Sequence, residues 1–382
     1  MMSDIDNLVD ETIEGLKKKA EEESFKQEVQ KKELLIRARK SDVQLNKILE
    51  NDKNAELAKT INYGTMSAAD IEKTQQENAD YMAAARNKMR FMNKSFDDAV
   101  PYFRKNLILI GGKTGDGKST TVANIIRSTI AKPNPLTGKR RRVLVITNEE
   151  KVEDVFNRVT CLIKKWDYRN HDKFTEEQVS EFNKYIKHLS KDGMITVIDN
   201  TYGGAIGTTT TLEGICQIFD NLIENQEYFD VILIDYYQNV NQSRINPSMG
   251  PYEVQDALAK RLDGYKNIYP APIILLAQVA PPDKDAKTPF KVRIEGRKSI
   301  LNVATCCLEI VANREELVTE WLIHKSRFNG AVGQKIQTGY KHGEYVEYTD
   351  EFKADVARMR ERIERDALDK KVGLTAPKAE EE

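Results

Sequence analysis

The chain has 382 residues, a formal net charge of −1, and 31% charged against 40% hydrophobic side chains. No run approaches the roughly 20 consecutive apolar residues a membrane helix needs, so the composition is that of a soluble protein with a sizeable core and no membrane partner. The near-zero net charge means that any nucleic-acid contact has to come from local patches, or from a channel shared by several subunits.

Residues 1–95 contain no proline and only two glycines, Gly15 and Gly64. Apolar residues recur at helical spacing (Ile5, Leu8, Val9, Ile13, Leu16, then Leu45, Ile48, Leu49), which predicts an all-helical N-terminal arm. Its sequence is equally compatible with a solvated arm and with an oligomerisation or partner-docking region. The first 25 residues lack a signal-peptide apolar core. Cys161, Cys216, Cys306 and Cys307 show no metal-binding spacing, and free buried thiols in a reducing cytoplasm are expected.

From about residue 96 to 350 the texture changes. Short apolar runs at 107–110, 143–146, 195–198, 231–234 and 273–276 lack period-2 alternation, as expected of strands covered on both faces. Helical patterns lie between them at 119–131, 151–166, 212–225 and 252–267. The alternation predicts an α/β domain, a mainly parallel sheet flanked by helices. Runs at 317–324, 333–339 and 344–349 read as antiparallel additions at one edge. A third region, 351–382, reads as a charged helix with a disordered end over 376–382. Lys139-Arg-Arg-Arg142 reads as a solvated turn before a strand.

The sharpest local signal is Gly112, Lys113, Thr114, Gly115, Asp116, Gly117, Lys118, Ser119, which matches G-x-x-x-x-G-K-[ST] at every fixed position. It follows an apolar strand and opens a helical stretch beginning Ser119-Thr120, the context that gives the pattern a mechanism. The glycines let backbone N–H groups curl round phosphate oxygens, and the helix N-terminus adds positive potential there. Lys118 would reach the β- and γ-phosphates of ATP, and the Ser119 hydroxyl would ligate Mg²⁺. A phosphate loop predicts an acid at the end of a later apolar strand, and Asp235 supplies it as the second metal residue. The 143–146 run is expected to lie beside the phosphate-loop strand, which places Glu149 and Glu150 to orient the attacking water. Glu149 is the first choice and Glu150 the runner-up.

The segment Asp235-Tyr236-Tyr237-Gln238 resembles the D-Y-L-Q that follows the metal-binding strand in DnaB-type replicative ring helicases. Thr147-Asn148-Glu149 resembles the family's S-L-E, which carries its catalytic glutamate, and Leu276-Ala277-Gln278 its L-S-Q, whose glutamine senses the nucleotide. The stretch from His324 and Lys325 through Arg327 to Gly330 resembles its K-x-R-x-G. The resemblance covers roughly residues 95–350. It implies a RecA-like ATPase core assembled as a ring, typically a hexamer, that unwinds DNA in replication. Lys325 and Arg327 would then reach the γ-phosphate held by the neighbouring subunit, and Gln278 would report on it. Two loops would line a channel for single-stranded DNA, through Arg244 in the first and Lys284, Lys287, Lys291, Arg293, Arg297 and Lys298 in the second. The N-terminal part does not match the family's usual helical domain, so contacts to a primase or a loader do not carry over from it. A chain this short suits a virus-encoded member. A RecA- or clock-like ATPase that assembles without unwinding stays open, as does an ATP-gated interaction protein working through its helical arm.

Overall fold

A computed structural model describes residues 72, 76 and 79 and then 92–372, apart from 101–104, 135–136, 169–172, 192, 200–210, 241–247, 282–288 and 328–329. The chain divides into two compact units, Met1–Glu77 and Asn78–Glu382, and everything below belongs to the second. Of the helical arm expected over 1–95, only residues 72, 76 and 79, each helical, and 92–95, where α1 begins, are described; the disorder expected over 376–382 lies outside the described residues.

In chain order the elements are α1 (Lys94–Ala99), β1 (Leu107–Gly112), α2 (Lys118–Ile130), β2 (Val143–Thr147), α3 (Val152–Lys164), α4 (Glu176–Lys191), β3 (Ile195–Ile198), α5 (Leu212–Glu224), β4 (Val231–Asp235), α6 (Pro251–Ile268), β5 (Ile273–Gln278), α7 (Phe290–Arg293), α8 (Ser299–Val303), β6 (Cys306–Asn313), β7 (Val318–Ser326), β8 (Lys335–Lys341), β9 (Glu344–Glu347) and α9 (Asp350–Val372). The strands form one sheet in the order β3-β2-β4-β5-β1-β6-β7-β8-β9. Pairing is parallel from β3 through to β6 and antiparallel from β6 to β9.

Continuous apolar runs become strands here because both faces are covered. Leu107 and Leu109 enter one core with residues of α5, α6, α7 and α8, while Ile108 and Ile110 enter the other with residues of α1, α2, α3 and α4. All four β1 residues are fully buried, and each contributes about 1.5–3 kcal/mol by leaving water. The phosphate loop therefore springs from a strand anchored on two sides. The antiparallel extension is fixed by Trp321, whose ring meets Phe96 edge-on at 4.7 Å and Tyr345 at 5.2 Å. Its Nε1 donates to Thr338 Oγ1 at 3.0 Å.

Three expectations change. The 143–146 strand does not lie beside the phosphate-loop strand, because β4 and β5 stand between β2 and β1. Apolar runs of like composition carry no address; the helical crossovers that pack on each face decide their order. Cys306–Asn313 is a full strand, β6, where the sequence showed only an apolar run holding two buried cysteines. Arg141 and Arg142 are not a solvated turn: Arg141 is 1% exposed, while Arg142 bridges to Glu227 at 2.7 Å and lies over the Phe229 ring. Among the described residues no helix is long and apolar enough to cross a membrane.

Candidate active site

Strand β1 ends at Gly112 and α2 begins at Lys118, so the intervening turn encloses the first N–H groups of a helix, which have no intrahelical partners. Gly117 has φ +98°, and a Cβ there would come within 2.8 Å of the Tyr345 hydroxyl, so both conformation and space require glycine. Lys113 N donates to Asp116 Oδ2 at 3.2 Å, and burial raises the Asp116 carboxyl above its ordinary pKa. The loop is also held from outside. Arg314, in the β6–β7 turn, donates to the Gly115 carbonyl at 3.0 Å, and the Tyr345 hydroxyl donates to the Gly117 carbonyl at 3.3 Å. Lys118 is folded back, its Nζ donating to the carbonyls of Gly112 and Lys113 at 3.1 Å each. Those are bonds that phosphate oxygens can replace.

Asp235 closes β4 and pairs in register with Thr147 at the end of β2. It is 2% exposed and its Oδ1 has no hydrogen-bond partner. Burial, with the nearby negative charges of Glu150 and Glu149, pushes its carboxyl up to about 7, opposed by Lys118 and Arg158. A buried carboxylate oxygen without a partner, in an acid-rich pocket, fits a cation. The described residues contain no cluster of three acidic, histidine or cysteine ligands, so Asp235, with the Ser119 hydroxyl, suits an ion completed by phosphate and water.

The chain turns after β2 because Thr147 Oγ1 accepts from Glu149 N at 3.2 Å and Glu150 N at 3.0 Å. Asn148 clamps the start of the next segment, donating to Tyr236 O at 3.2 Å and accepting from Tyr236 N at 3.0 Å. The two glutamates differ. Glu150 bridges to Arg158 at 2.6 Å; Glu149 is exposed, and its carboxylate bonds no described residue.

Gln278, the last residue of β5, donates from Nε2 to Thr114 Oγ1 of the loop at 2.7 Å. Behind it, Gln238 Oε1 accepts from Gln278 N at 3.0 Å, and Gln238 Nε2 donates to the carbonyls of Gln278 and Glu295 at 3.0 and 2.8 Å. The second loop is closed at its root by Ala280 N donating to Arg293 O at 2.8 Å and by a bridge between Val279 and Ile294. Arg244, Lys284 and Lys287 lie outside the described residues. Lys291 is exposed. Arg293 is salt-bridged to Glu309 at 2.7 Å, and Arg297 to Asp256 at 2.6 Å. Lys298 donates to the carbonyls of Val292 and Ile294 at 2.6 and 2.8 Å.

Lys325 and Arg327 stand at the other end of the sheet. Lys325 pairs with Cys307, itself opposite Leu109, and Arg327 N donates to Thr305 O beside the start of β1. Along the sheet Lys325 is level with Leu109, about 10 Å from the end of β1 where the phosphate loop begins, and Arg327 is level with Leu107, about 16 Å from it. Both side chains rest on the end of α8, where Lys325 Nζ donates to the Asn302 carbonyl at 3.1 Å and Arg327 Nη2 to the same oxygen at 2.7 Å.

The family described as DnaB-like helicase C-terminal domain matches residues 93–349. The chain belongs to this DnaB-like family. Solved structures agree on the fold. An ATPase domain solved on its own matches with a TM-score of 0.57 at 12% identity, covering 75% of this chain and 99% of that one. A DnaB-like replicative helicase, solved with attention to its interactions with primase, matches with a TM-score of 0.56 at 14% identity, covering 81% of this chain and 76% of that one. No curated protein matches by sequence.

Within this DnaB-like domain, sequence reasoning missed the walls of the site. A cavity of about 420 Å³ opens beside the loop, lined by Gly115, Thr120, Arg314, Leu317, Tyr340 and Tyr345, a volume in the range of small-molecule sites. Arg314 sits in a turn 199 residues beyond Gly115, Tyr340 and Tyr345 lie further on in an edge hairpin, and no motif marks them. Arg158 was also invisible; only its place in the middle of α3, facing Glu150, gives it a role.

Proposed function

We propose that the protein is an ATP-dependent DNA helicase that moves along single-stranded DNA as a ring, a hexamer, in DNA replication. What carries the reading is the separation of Lys325 and Arg327 from their own chain's phosphate loop: cations at that end serve hydrolysis only if they meet a loop on the next copy.

The chemistry follows from the residues. ATP lies along the loop with its base and ribose in the cavity beside Arg314 and Tyr340. Lys118 leaves the carbonyls of Gly112 and Lys113 for the β- and γ-phosphate oxygens, joined by the N–H groups from Lys113 to Thr120. Ser119 and Asp235 would hold Mg²⁺, which when bound neutralises charge on the β- and γ-phosphates. Glu149, unpaired and at the strand end beside Asp235, orients the attacking water and takes its proton, while the Glu150–Arg158 bridge keeps the second glutamate out of the way. The neighbour's Arg327 and Lys325 balance charge growing on the transferring phosphoryl group. Loss of that group is felt at Thr114 and passes through Gln278 and Gln238 to the roots of both loops. There Arg244, Lys284, Lys287 and Lys291 grip the DNA backbone without reading sequence, while Arg293, Arg297 and Lys298, held by Glu309, Asp256 and backbone carbonyls, brace the root of the second loop.

A forked duplex with a labelled strand tests the reading. Purified protein with ATP and Mg²⁺ should release the strand, and ATPase turnover should rise on adding single-stranded DNA. Stimulated turnover with an intact fork would turn the reading to an ATPase that assembles on DNA without unwinding. Turnover indifferent to DNA would remove the motor altogether.

A further inference from the structure

One polar cluster lies outside the nucleotide site yet joins two parts of the proposed machine. Glu309, on β6, has a side chain only 3% exposed, between strands whose neighbouring side chains are mostly apolar. It is gripped in parallel by Arg293, Nη1 to Oε1 and Nη2 to Oε2 at 2.7 Å each, the two-pronged geometry that favours arginine. His324 Nε2 lies 2.9 Å from Glu309 Oε2. The His324 ring is stacked flat on Phe290, with centroids 4.3 Å apart and planes within 2°. Burial acts to raise the Glu309 carboxyl, but the bonds from His324 and Arg293 outweigh it and hold the group below its ordinary pKa. Glu309 is thus charged at neutral pH.

The placement of the cluster is unusual in two ways. Phe290 and Arg293 are the ends of α7, the stem of the second loop. Phe290 rests over Gly111, where a Cβ would come within 2.8 Å of its ring, so the stem lies directly on the strand that carries the phosphate loop. Second, the β6–β7 register slips at this point: Cys307 pairs with Lys325 but Leu308 pairs with Ile323, leaving His324 as the extra residue of a bulge. A bulge re-aims the side chains beyond it, and the next residues in the chain are Lys325 and Arg327. A cavity of about 290 Å³ lies between the two parts, lined by Phe290, Lys291, Leu301, Cys307, His324 and Lys325, so there is room for Lys325 to shift. Apolar residues would hold the sheet as well as a buried ion pair does, which makes packing alone a poor account of Glu309.

We infer that Arg293, Glu309 and His324 are positioning residues that tie the root of the second loop to the bulge beneath Lys325 and Arg327, so that DNA held at the loop sets the cations offered to the neighbouring subunit. The inference rests on the helicase reading above.

His324→Phe and His324→Gln test it. The phenylalanine keeps a flat ring on Phe290 and removes the bond to Glu309; the glutamine returns a donor. Basal turnover, the KM for ATP, affinity for a fluorescent oligo-dT strand and Tm should all stay near wild type in His324→Phe. The turnover reached with saturating oligo-dT should fall by about fivefold, within the range seen for coupling residues, and His324→Gln should recover part of it. Full stimulation of His324→Phe overturns the inference while leaving the helicase reading intact. Basal and stimulated turnover falling together with Tm makes His324 a packing residue and also overturns it. A wild-type enzyme that single-stranded DNA does not stimulate overturns the helicase reading, and this inference with it.

Discussion

The two ends of the central sheet are made of different kinds of chemistry. At the C-terminal ends of β1, β4 and β5 lie the phosphate loop, the buried Asp235 and Gln278, the last bonded to Thr114 of the loop. At the opposite end Lys325 and Arg327 lie on backbone carbonyls of α8, and among the described residues neither forms a salt bridge. The first end sets a glycine-rich loop beside a buried acid; the second sets two cations on backbone carbonyls. A sheet is stiff across the distance between them, so one chain does not close on itself. On the proposed reading, half of each site sits on each end, and two copies together make one whole.

The largest effect should come from breaking the second end. Arg327→Ala should bind ATP normally yet lose turnover by about 10³-fold or more, the usual worth of an arginine supplied across an interface. Mixing it with Glu149→Gln should restore part of the activity at interfaces pairing the intact loop with the intact arginine; no recovery at any ratio would count against action between subunits. Next come the two glutamates at the first end. Glu149→Gln should cost about 10²-fold or more in turnover with ATP binding retained, whereas Glu150→Gln, which disturbs only the bridge to Arg158, should cost less than about tenfold on the same scale. A steady-state assay giving the reverse order would exchange their roles. The smallest effect belongs to the channel: Lys291→Ala should weaken oligo-dT binding a few-fold and lower the slope of log affinity against log salt by about 1. An unchanged slope would take Lys291 off the DNA path.

The first end was largely legible before any coordinates. Its loop is eight consecutive residues, Gly112 to Ser119, and its acid terminates an apolar run, so local chemistry marks both. Helices α2, α3, α5 and α6 were legible because amphipathic period survives in one dimension. The rest was hidden for identifiable reasons. Strand β6 was not recognised because Cys306-Cys-Leu-Glu-Ile-Val311 mixes a buried charge into its run, and that charge has meaning only beside Arg293 and His324. Helix α4 shows little apolar content, since much of its surface faces solvent. Arg141 and Arg142 looked like a wet turn until burial and Phe229 were seen to surround them.

What the sequence by itself determined is the chemistry of nucleotide binding: a loop shaped for phosphate, a lysine, a hydroxyl and an acid, each specified by its nearest neighbours in the chain. Only the tertiary structure decided where each group stands relative to the others. It put β4 and β5 between β2 and β1, brought Arg314 and Tyr345 onto the loop, and sent Lys325 and Arg327 to the far end of the sheet. The physical reason is that strand order and register arise from packing between residues far apart in the chain, which no local pattern encodes.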